Sequence, residues 1–306
     1  MSDHVSDTAC RIFVVVNPIA GGADVAKIRQ ILDRQLQKDG GTAEIYETTG
    51  DEDLAAIVRA ACESQPDVVV AAGGDGTVAG VISGLVGGDI PLAILPAGTG
   101  NGLARALSIP LALEEAAGLL AADHRLVAID VMRVGDRYYV LNVSAGISSR
   151  AMRATRVEQK RRFGILAYFW VLLKELVAYQ PRWYRLQMDD QIVRERASEV
   201  IVTNASHLKN SNFTFGSPED LSDGCLDVYI ITARNLLDYL NLAWQTLFSA
   251  RERPSKLKSF EISSSITIEA PGSALPVQAD GETLGTTPVT VDLLPAVLQV
   301  IVPKDP

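Results

Sequence analysis

The sequence predicts an α/β domain with a mostly parallel sheet, followed by a region of antiparallel β structure. Between Arg11 and about Ala122, short apolar runs alternate with segments of helical periodicity, which is the pattern of a βαβ series. After Arg125 the apolar segments are short and alternating, and turn sequences such as Val134-Gly135-Asp136 join them. The chain has 306 residues, more than the roughly 100 to 200 of one domain, so two domains are expected.

The elements of the first domain follow one another in regular alternation. The apolar runs are IFVVV, AEIYE, DVVVAA and PLAILP, and the helical segments are Ala23 to Lys38, Asp53 to Glu63, Thr77 to Leu85 and Gly102 to Leu107. Runs such as DVVVAA are apolar throughout, which is typical of parallel strands that helices cover on both faces. The predicted arrangement of this domain is therefore three layers, α/β/α.

The domain boundaries follow from this change of pattern. The first domain is predicted to span residues 10–126 and the second residues 127–294. Two helices interrupt the alternating segments of the second domain, Phe163 to Ala178 and Asn235 to Ala250. The last apolar run, VLQVIVP, lies within residues 295–306 and is predicted to return to the first domain as a strand.

Composition and charge exclude several classes of function. A net charge of −9 opposes a nucleic-acid partner, because duplex binding needs clustered Lys and Arg side chains. The cysteines Cys10, Cys62 and Cys225 are odd in number and far apart, which argues against a disulfide framework or a zinc site and favours a reducing cytoplasm. The first residues lack a basic and then apolar stretch, so they do not predict a secretory signal.

A glycine-rich turn, Gly73-Gly74-Asp75-Gly76-Thr77, follows the buried run DVVVAA and precedes a helix that is predicted to start near Thr77. Backbone N–H groups and a helix N-terminus receive phosphate in this layout. The glycines are expected to adopt positive φ and to approach the anion closely. A carboxylate among such amides indicates an intervening cation, so Asp75 is the candidate Mg²⁺ contact. The alternative is a tight turn in which Asp75 caps the helix.

A second glycine-rich turn follows the next predicted strand. It runs from Pro96 to Gly102 and contains Gly98, Thr99 and Asn101. Consecutive parallel strands end at the same edge of an open sheet, where ligands bind, so the two turns predict one phosphate cradle. Neither turn has the spacing of a P-loop or of a dinucleotide fingerprint.

These motifs resemble the diacylglycerol kinase catalytic-domain family of lipid kinases, which includes sphingosine kinases, ceramide kinases and bacterial soluble lipid kinases. The resemblance covers nearly the whole chain. Its motifs, in order, are Val16-Asn17-Pro18 with Gly21-Gly22, GGDGT, LPAGTGN, Leu141 to Gly146, Asp223 to Asp227, and Asp280-Gly281-Glu282.

The resemblance implies a magnesium-dependent lipid kinase of two domains. ATP is expected on the α/β domain, the second domain is expected to be a β-sandwich that carries the catalytic base, and a lipid hydroxyl enters between them. Nucleotide contacts are implied for Asn17, Thr48, the turn from Gly74 to Thr77, and Thr99. Glu282 is implied as general base, although the DGE sequence is also typical of a hairpin turn with a solvated acid. Asp220, Asp223 and Cys225 are implied as a metal site, with Asp223 giving a carboxylate and the other two giving carbonyls; a turn that enters the next strand is the alternative.

Departures from the family pattern leave the acceptor open. Where family members commonly read GGDGTxNE, this chain has Ala79 and Gly80, and where many have aspartate after the asparagine of the second turn it has Gly102. Two other functions are alternatives, the first because it shares the GGDGT turn and the second because of these departures. One is an NAD kinase, although the segment LPAGTGNGLARAL differs from the one usual there. The other is a catalytically weak regulator that binds lipid or nucleotide.

The expected partner is a lipid substrate, with a homodimer left open. Lys160-Arg161-Arg162 precedes the apolar helix of the second domain, and we interpret the two together as a peripheral membrane contact at the inner membrane surface. Packing between domains is the alternative for this helix. Its apolar stretch is interrupted by Lys174 and Glu175 and is too short for a membrane span, which needs about 20 apolar residues.

Overall fold

The computed structural model describes residues 10–19, 24–36, 40–50, 52–121, 124–154, 180–205, 220–248 and 254–304. The chain divides into two compact units. Unit 1 comprises residues 1–129, 216–222 and 296–306, and unit 2 comprises residues 130–215 and 223–295.

Unit 1 is built on a parallel sheet of the strands β1 (Arg11–Val16), β2 (Thr42–Glu47), β3 (Val68–Gly73) and β4 (Leu92–Pro96). Their order in the sheet is β2-β1-β3-β4. Its helices are α1 (Val25–Leu36), α2 (Leu54–Cys62), α3 (Asp75–Leu85), α4 (Gly102–Ala106) and α5 (Leu113–Gly118). Every residue of β3 and β4 is buried, so both faces of these strands are covered. The predicted α/β class with a mostly parallel sheet is confirmed.

Helix starts in unit 1 follow from capping carboxylates. The side chain of Asp53 accepts the N–H group of Ala56 at 3.1 Å and caps α2. Asp24 accepts the N–H groups of Ala26 and Lys27 at the start of α1. These bonds satisfy donors that a helix N-terminus otherwise leaves unpaired.

Unit 2 contains two antiparallel sheets around one apolar core. One sheet contains, in spatial order, β12 (Leu257–Ile262), β11 (Leu226–Ile231), β10 (Glu199–Thr203), β7 (Asn142–Gly146), β14 (Pro276–Ala279) and β15 (Glu282–Thr286). In the other sheet, β13 (Ser265–Glu269) pairs with β8 (Arg182–Met188) and with residues 289–292 of β16 (Val289–Pro303). Strand β8 also pairs with β9 (Gln191–Ala197). Core residues come from both sheets, among them Val143, Val200, Val228 and Val277 from the first and Leu186, Ile266, Ile268 and Val291 from the second. The predicted β-sandwich is confirmed.

The other strands of the described residues are β5 (His124–Val134) and β6 (Arg137–Tyr139), which pair with each other. The helices are α6 (Ile147–Ala154) and α7 (Leu236–Phe248), with a 3-10 turn at Asp220–Ser222. Strand β16 also pairs with β4 in parallel, through Val300 and Leu92. The predicted helix from Phe163 to Ala178 lies outside the described residues.

Helices α2 and α3 approach each other closely through two glycines one turn apart. A Cβ atom on Gly80 would lie 2.8 Å from Leu54 Cδ1, and one on Gly84 would lie 2.5 Å from Val58 Cβ. Val58 is fully buried, so it has little room to move. The glycine at position 80, a departure from the family pattern, therefore allows this helix pair to pack.

We predict that Gly84→Ala lowers the free energy of unfolding. Overpacking a tight contact costs about 1 to 3 kcal/mol, which outweighs the ~1 kcal/mol that alanine gains over glycine in a helix. The matched control is Gly118→Ala in α5, where a Cβ atom meets nothing within 4 Å and where a neutral or stabilising effect is expected. Urea denaturation of both variants checks this, and equal stabilities for the two would contradict the packing account.

Candidate active site

The predicted nucleotide-binding residues of unit 1 all lie at the carboxyl edge of the parallel sheet. Asn17 follows β1, Thr48 follows β2, and the two glycine-rich turns follow β3 and β4. The N–H group of Asn17 donates to Ala72 O at 3.0 Å, and that of Thr48 donates to Val16 O at 2.8 Å, so the ladder continues past the strands. Strand β1 lies between β2 and β3, which makes this edge a topological switch point where open α/β sheets bind ligands.

The first turn is tighter than predicted, because β3 ends at Gly73 and α3 begins at Asp75 with Gly74 alone between them. The prediction of a helix start near Thr77 was two residues late. The prediction of positive φ at Gly73, Gly74 and Gly76 was also wrong, since the φ of Gly74 is −91° and none of the three is left-handed.

Close approach explains these glycines instead. A Cβ atom on Gly73 would lie 2.5 Å from the Oγ1 atom of Thr77, whose side chain folds back over the turn. A Cβ atom on Gly98, in the second turn, would lie 2.5 Å from the Cα atom of Gly74. The two turns are therefore in backbone contact, which only glycine permits.

Asp75 joins the two turns. Its Oδ1 atom accepts the N–H group of Gly102 at 2.7 Å, at the start of α4, whereas its own helix has no side-chain cap. A Cβ atom on Gly100 would lie 2.6 Å from Asp75 Oδ2, so the glycine leaves room for the carboxylate. The alternative that Asp75 caps its own helix is thus wrong. The carboxylate instead lies between the two turns.

Asn101 holds the second turn in shape. It adopts the left-handed conformation with φ 50°, and its side chain accepts the N–H group of Gly98 at 3.0 Å and donates to Gly98 O at 2.9 Å. Both polar atoms of its side-chain amide are thus bonded within the turn. A contact between Asn101 and nucleotide stays a prediction. Thr99, in contrast, is exposed.

Thr48 has a feature that suits a polar ligand. Its side chain is 5% exposed, and its Oγ1 atom has no hydrogen-bond partner among the described residues. Buried polar atoms nearly always have a partner in folded proteins. A buried hydroxyl without a partner among the described residues, at the carboxyl edge of the sheet, fits the donor and acceptor groups of a polar ligand such as a nucleotide.

In unit 2, Glu282 opens β15 directly after a two-residue hairpin turn. Asp280 and Gly281 both have positive φ, 44° and 85°, and Ala279 pairs with Glu282. This is the turn that Asp-Gly sequences favour between antiparallel strands. The side chain of Glu282 is exposed, so the carboxylate is accessible to a reactant.

Asp280 anchors the hairpin, a role that the sequence did not predict. Its carboxylate accepts three backbone N–H groups, from Val140 at 2.9 Å, Leu141 at 3.1 Å and Asn142 at 2.8 Å. The hairpin is thereby anchored to a segment about 140 residues earlier in the chain. No local sequence pattern predicts this contact, because it depends on the pairing of strands β7 and β14.

The predicted metal residues lie around the 3-10 turn, with Asp220 in unit 1 and Asp223 and Cys225 in unit 2. The Oδ1 atom of Asp223 accepts the N–H group of Cys225 at 3.0 Å. The N–H group of Gly224 donates to buried Asp130 at 2.7 Å. In the described part of the chain no group of three His, Cys, Asp or Glu side chains has metal-site geometry, and a role for backbone carbonyls here stays a prediction.

A buried carboxylate that the sequence analysis did not single out is Glu199, which is 2% exposed. Its carboxylate accepts the N–H group of Ser148 at 2.8 Å and the Ser148 hydroxyl at 2.5 Å, at the start of α6. Gln278, which lies on β14 two residues before Asp280, donates to the same hydroxyl at 3.1 Å. Burial raises the pKa of Glu199 to about 7, against the opposing effect of the hydrogen bonds from Ser148.

Two predicted features cannot be placed. Gly21-Gly22 and Lys160-Arg161-Arg162 lie outside the described residues. Among the helices that the structure does describe, none has the length and apolar character needed to cross a membrane.

Comparisons with known proteins agree over nearly the whole chain. Residues 11–134 match the family described as diacylglycerol kinase catalytic domain, and residues 141–302 match the family described as YegS C-terminal NAD kinase beta sandwich-like domain. A diacylglycerol kinase of Mycobacterium tuberculosis is 27% identical over 304 residues, covering 96% of each chain. A probable lipid kinase YegS of Shigella flexneri is 29% identical over 276 residues, covering 88% of this chain and 89% of that one.

Solved structures agree with the fold. The crystal structure of a diacylglycerol kinase from Bacillus anthracis superposes with a TM-score of 0.69 at 20% identity, covering 96% of this chain and 97% of that one. Another chain from the same organism gives a TM-score of 0.80 at 22% identity and 99% coverage of both. Likeness at this level of identity identifies the fold.

We predict that Glu199→Gln is more stable relative to the wild type at pH 8 than at pH 5. The folded-state pKa of about 7 lies above the ordinary 4.5, so the stabilising contribution of Glu199 is fully present below 4.5 and is lost as pH rises through about 7. The relative change is expected to be roughly 2 to 3 kcal/mol in the free energy of unfolding. Urea denaturation at both pH values measures this change, with the exposed Glu261→Gln as the control. If the difference in free energy of unfolding between variant and wild type were the same at pH 5 and pH 8, the burial effect would be contradicted.

Proposed function

Since the chain belongs to the family of the diacylglycerol kinase catalytic domain, followed by a YegS-type C-terminal domain, we propose that it transfers the γ-phosphate of ATP to a lipid hydroxyl. The observation that carries the proposal is the convergence of two glycine turns, Asp75 and Thr48 at one edge of the parallel sheet in unit 1. The acceptor class comes from the relatives, which are named as diacylglycerol kinases and lipid kinases.

Phosphate recognition rests on the backbone of the first turn. Helix α3 begins at Asp75, two residues after the last residue of β3. The first N–H groups of a helix have no partners within it. Such N–H groups, together with the helix dipole, favour an anion at this end. Gly76 is exposed there and Gly74 carries no side chain to obstruct the approach. We assign the triphosphate to this position, with Asn17, Thr48 and Thr99 around it.

Asp75 is the residue that would hold Mg²⁺ with the phosphates. One of its oxygen atoms is bound by Gly102, and carboxylate oxygens have lone pairs to spare for a hard cation. When bound, the cation neutralises charge on the phosphates. The bond from Gly102 orients the carboxylate through a backbone N–H group.

Glu282 is proposed as the general base that accepts the proton of the lipid hydroxyl. An exposed carboxylate at the end of a short hairpin is accessible to an acceptor group. The three bonds to Asp280 restrict the hairpin, so the base is held by main-chain contacts rather than by its own side chain. Diacylglycerol, a sphingoid base or a related lipid alcohol is the proposed acceptor.

We predict that Glu282→Gln lowers kcat by about 10²- to 10⁴-fold, because base assistance typically contributes that much. The dissociation constant for ATP is expected to change little, since Glu282 belongs to unit 2 and the nucleotide residues belong to unit 1. Steady-state kinetics and calorimetric titration measure the two quantities. The control is Glu261→Gln, the same change at another exposed strand position. Near-normal kcat in the Glu282 variant would overturn the assignment of the base.

Incubation with labelled ATP, Mg²⁺ and a panel of acceptors tests the substrate class. The panel contains diacylglycerol, a sphingoid base, ceramide, phosphatidylglycerol and NAD. We expect label in at least one lipid and none in NAD. Transfer to NAD alone, or ATP binding without transfer to any acceptor, would contradict a lipid kinase.

A further inference from the structure

Helix α7 carries an exposed apolar stripe. Leu237, Leu240 and Trp244 are 75%, 57% and 62% exposed, although they are large apolar side chains. Their spacing of three and four residues places them on one face of the helix. Exposed apolar residues scattered singly are normal, but a contiguous group on one helix face indicates an interaction surface.

The opposite side of α7 is attached to the sandwich. The Tyr239 hydroxyl donates to Ser198 Oγ at 2.6 Å, and Leu242 is partly buried. The helix start is capped by the side chain of Asn235, which accepts the N–H group of Asp238 at 2.9 Å. The orientation of α7 is therefore held by contacts within unit 2, and the stripe of Leu237, Leu240 and Trp244 faces outward as a consequence.

We propose that this stripe docks on the surface of a lipid bilayer, an inference that rests on the proposed function because a lipid acceptor is held in a bilayer. A tryptophan beside leucines suits the boundary between headgroups and acyl chains, where the indole ring has an apolar body and a polar N–H group. An amphipathic helix in that position lies in the plane of the membrane, with its apolar face buried by about 5 to 10 Å. A mode of this kind needs no membrane-spanning helix.

The size of the stripe favours a bilayer over a second copy of the chain. Among the described side chains of α7, these three present on the order of 400 Å², about half of the ~800 Å² that each partner buries in a standard protein interface. A bilayer has no such minimum area, because insertion improves with each apolar group that leaves water.

Charge indicates how the stripe binds. The chain has a net charge of −9, so attraction to anionic headgroups does not drive the approach as a whole. The only acidic residue of α7 is Asp238, which is half-buried and accepts the N–H group of Arg234 at 2.8 Å. Docking is therefore apolar in character, and we expect it on neutral vesicles and in high salt as well as on anionic vesicles in low salt.

The test combines vesicle binding with activity. The variant is the triple substitution Leu237→Gln, Leu240→Gln and Trp244→Gln, since glutamine is a good helix former. The matched control is Trp183→Gln with Ile192→Gln, two other exposed apolar residues of unit 2, on β8 and β9. Circular dichroism and urea denaturation establish that both proteins fold. Co-sedimentation is measured with phosphatidylcholine vesicles, with and without phosphatidylglycerol, and activity is measured on a short-chain diacylglycerol dissolved below its micelle concentration.

We expect the triple variant to bind vesicles at least tenfold more weakly than the wild type, while the control variant binds normally. Turnover of the dissolved acceptor should be unchanged in the triple variant. Equal vesicle binding by wild type and triple variant would overturn the inference. So would a wild-type dimer that the triple substitution converts to a monomer, because the stripe would then be an interface between copies.

The two proposals fail in distinguishable ways. If the wild type phosphorylates the dissolved lipid but does not bind vesicles, the lipid-kinase function is supported and the docking surface is refuted. If the wild type binds vesicles through the stripe but phosphorylates no lipid, the docking surface is supported and the proposed function is refuted.

Discussion

The backbone contact between the two glycine turns is the constraint on which the candidate site depends. Gly74 and Gly98 approach so closely that a single Cβ atom on Gly98 would lie 2.5 Å from the Cα atom of Gly74. The contact brings the start of α4 within reach of Asp75, which binds the N–H group of Gly102 across 27 residues of sequence. Separate strand ends thereby become one rigid edge, with its N–H groups and its carboxylate held before any ligand arrives.

A similar device operates in unit 2, where Asp280 accepts three N–H groups from residues 140–142 and so fixes the hairpin that carries Glu282. In both units a carboxylate is bound by main-chain donors from a distant segment. Charge-assisted bonds of this type are stronger than neutral ones and leave the anchored loop little freedom. The proposed chemistry thus depends on aspartates that hold backbone as much as on residues that face a reactant.

Local pattern was sufficient for the parts of the fold that repeat. Alternation of apolar runs and helical periods predicted the parallel sheet, and the common position of both turns followed because parallel strands end at one edge. Asn17 and Thr48 were implied only by the family resemblance. Conformation within the turns was not predictable, since the left-handed residue is Asn101 rather than any glycine of GGDGT. The contacts of Asp280 and the burial of Glu199 depend on strand pairing across long separations, which no local pattern encodes.

The dependence of ATP affinity on Mg²⁺ in Asp75→Asn is the measurement that bears most closely on the magnesium–nucleotide site. Asparagine keeps an oxygen atom that can accept the N–H group of Gly102, so the edge of the sheet should stay intact while the negative charge is removed. Calorimetric titration of ATP with and without Mg²⁺ should show a large gain in affinity for the wild type and little or none for the variant. An equal gain in both proteins, with both folded, would contradict the placement of the magnesium nucleotide at this edge.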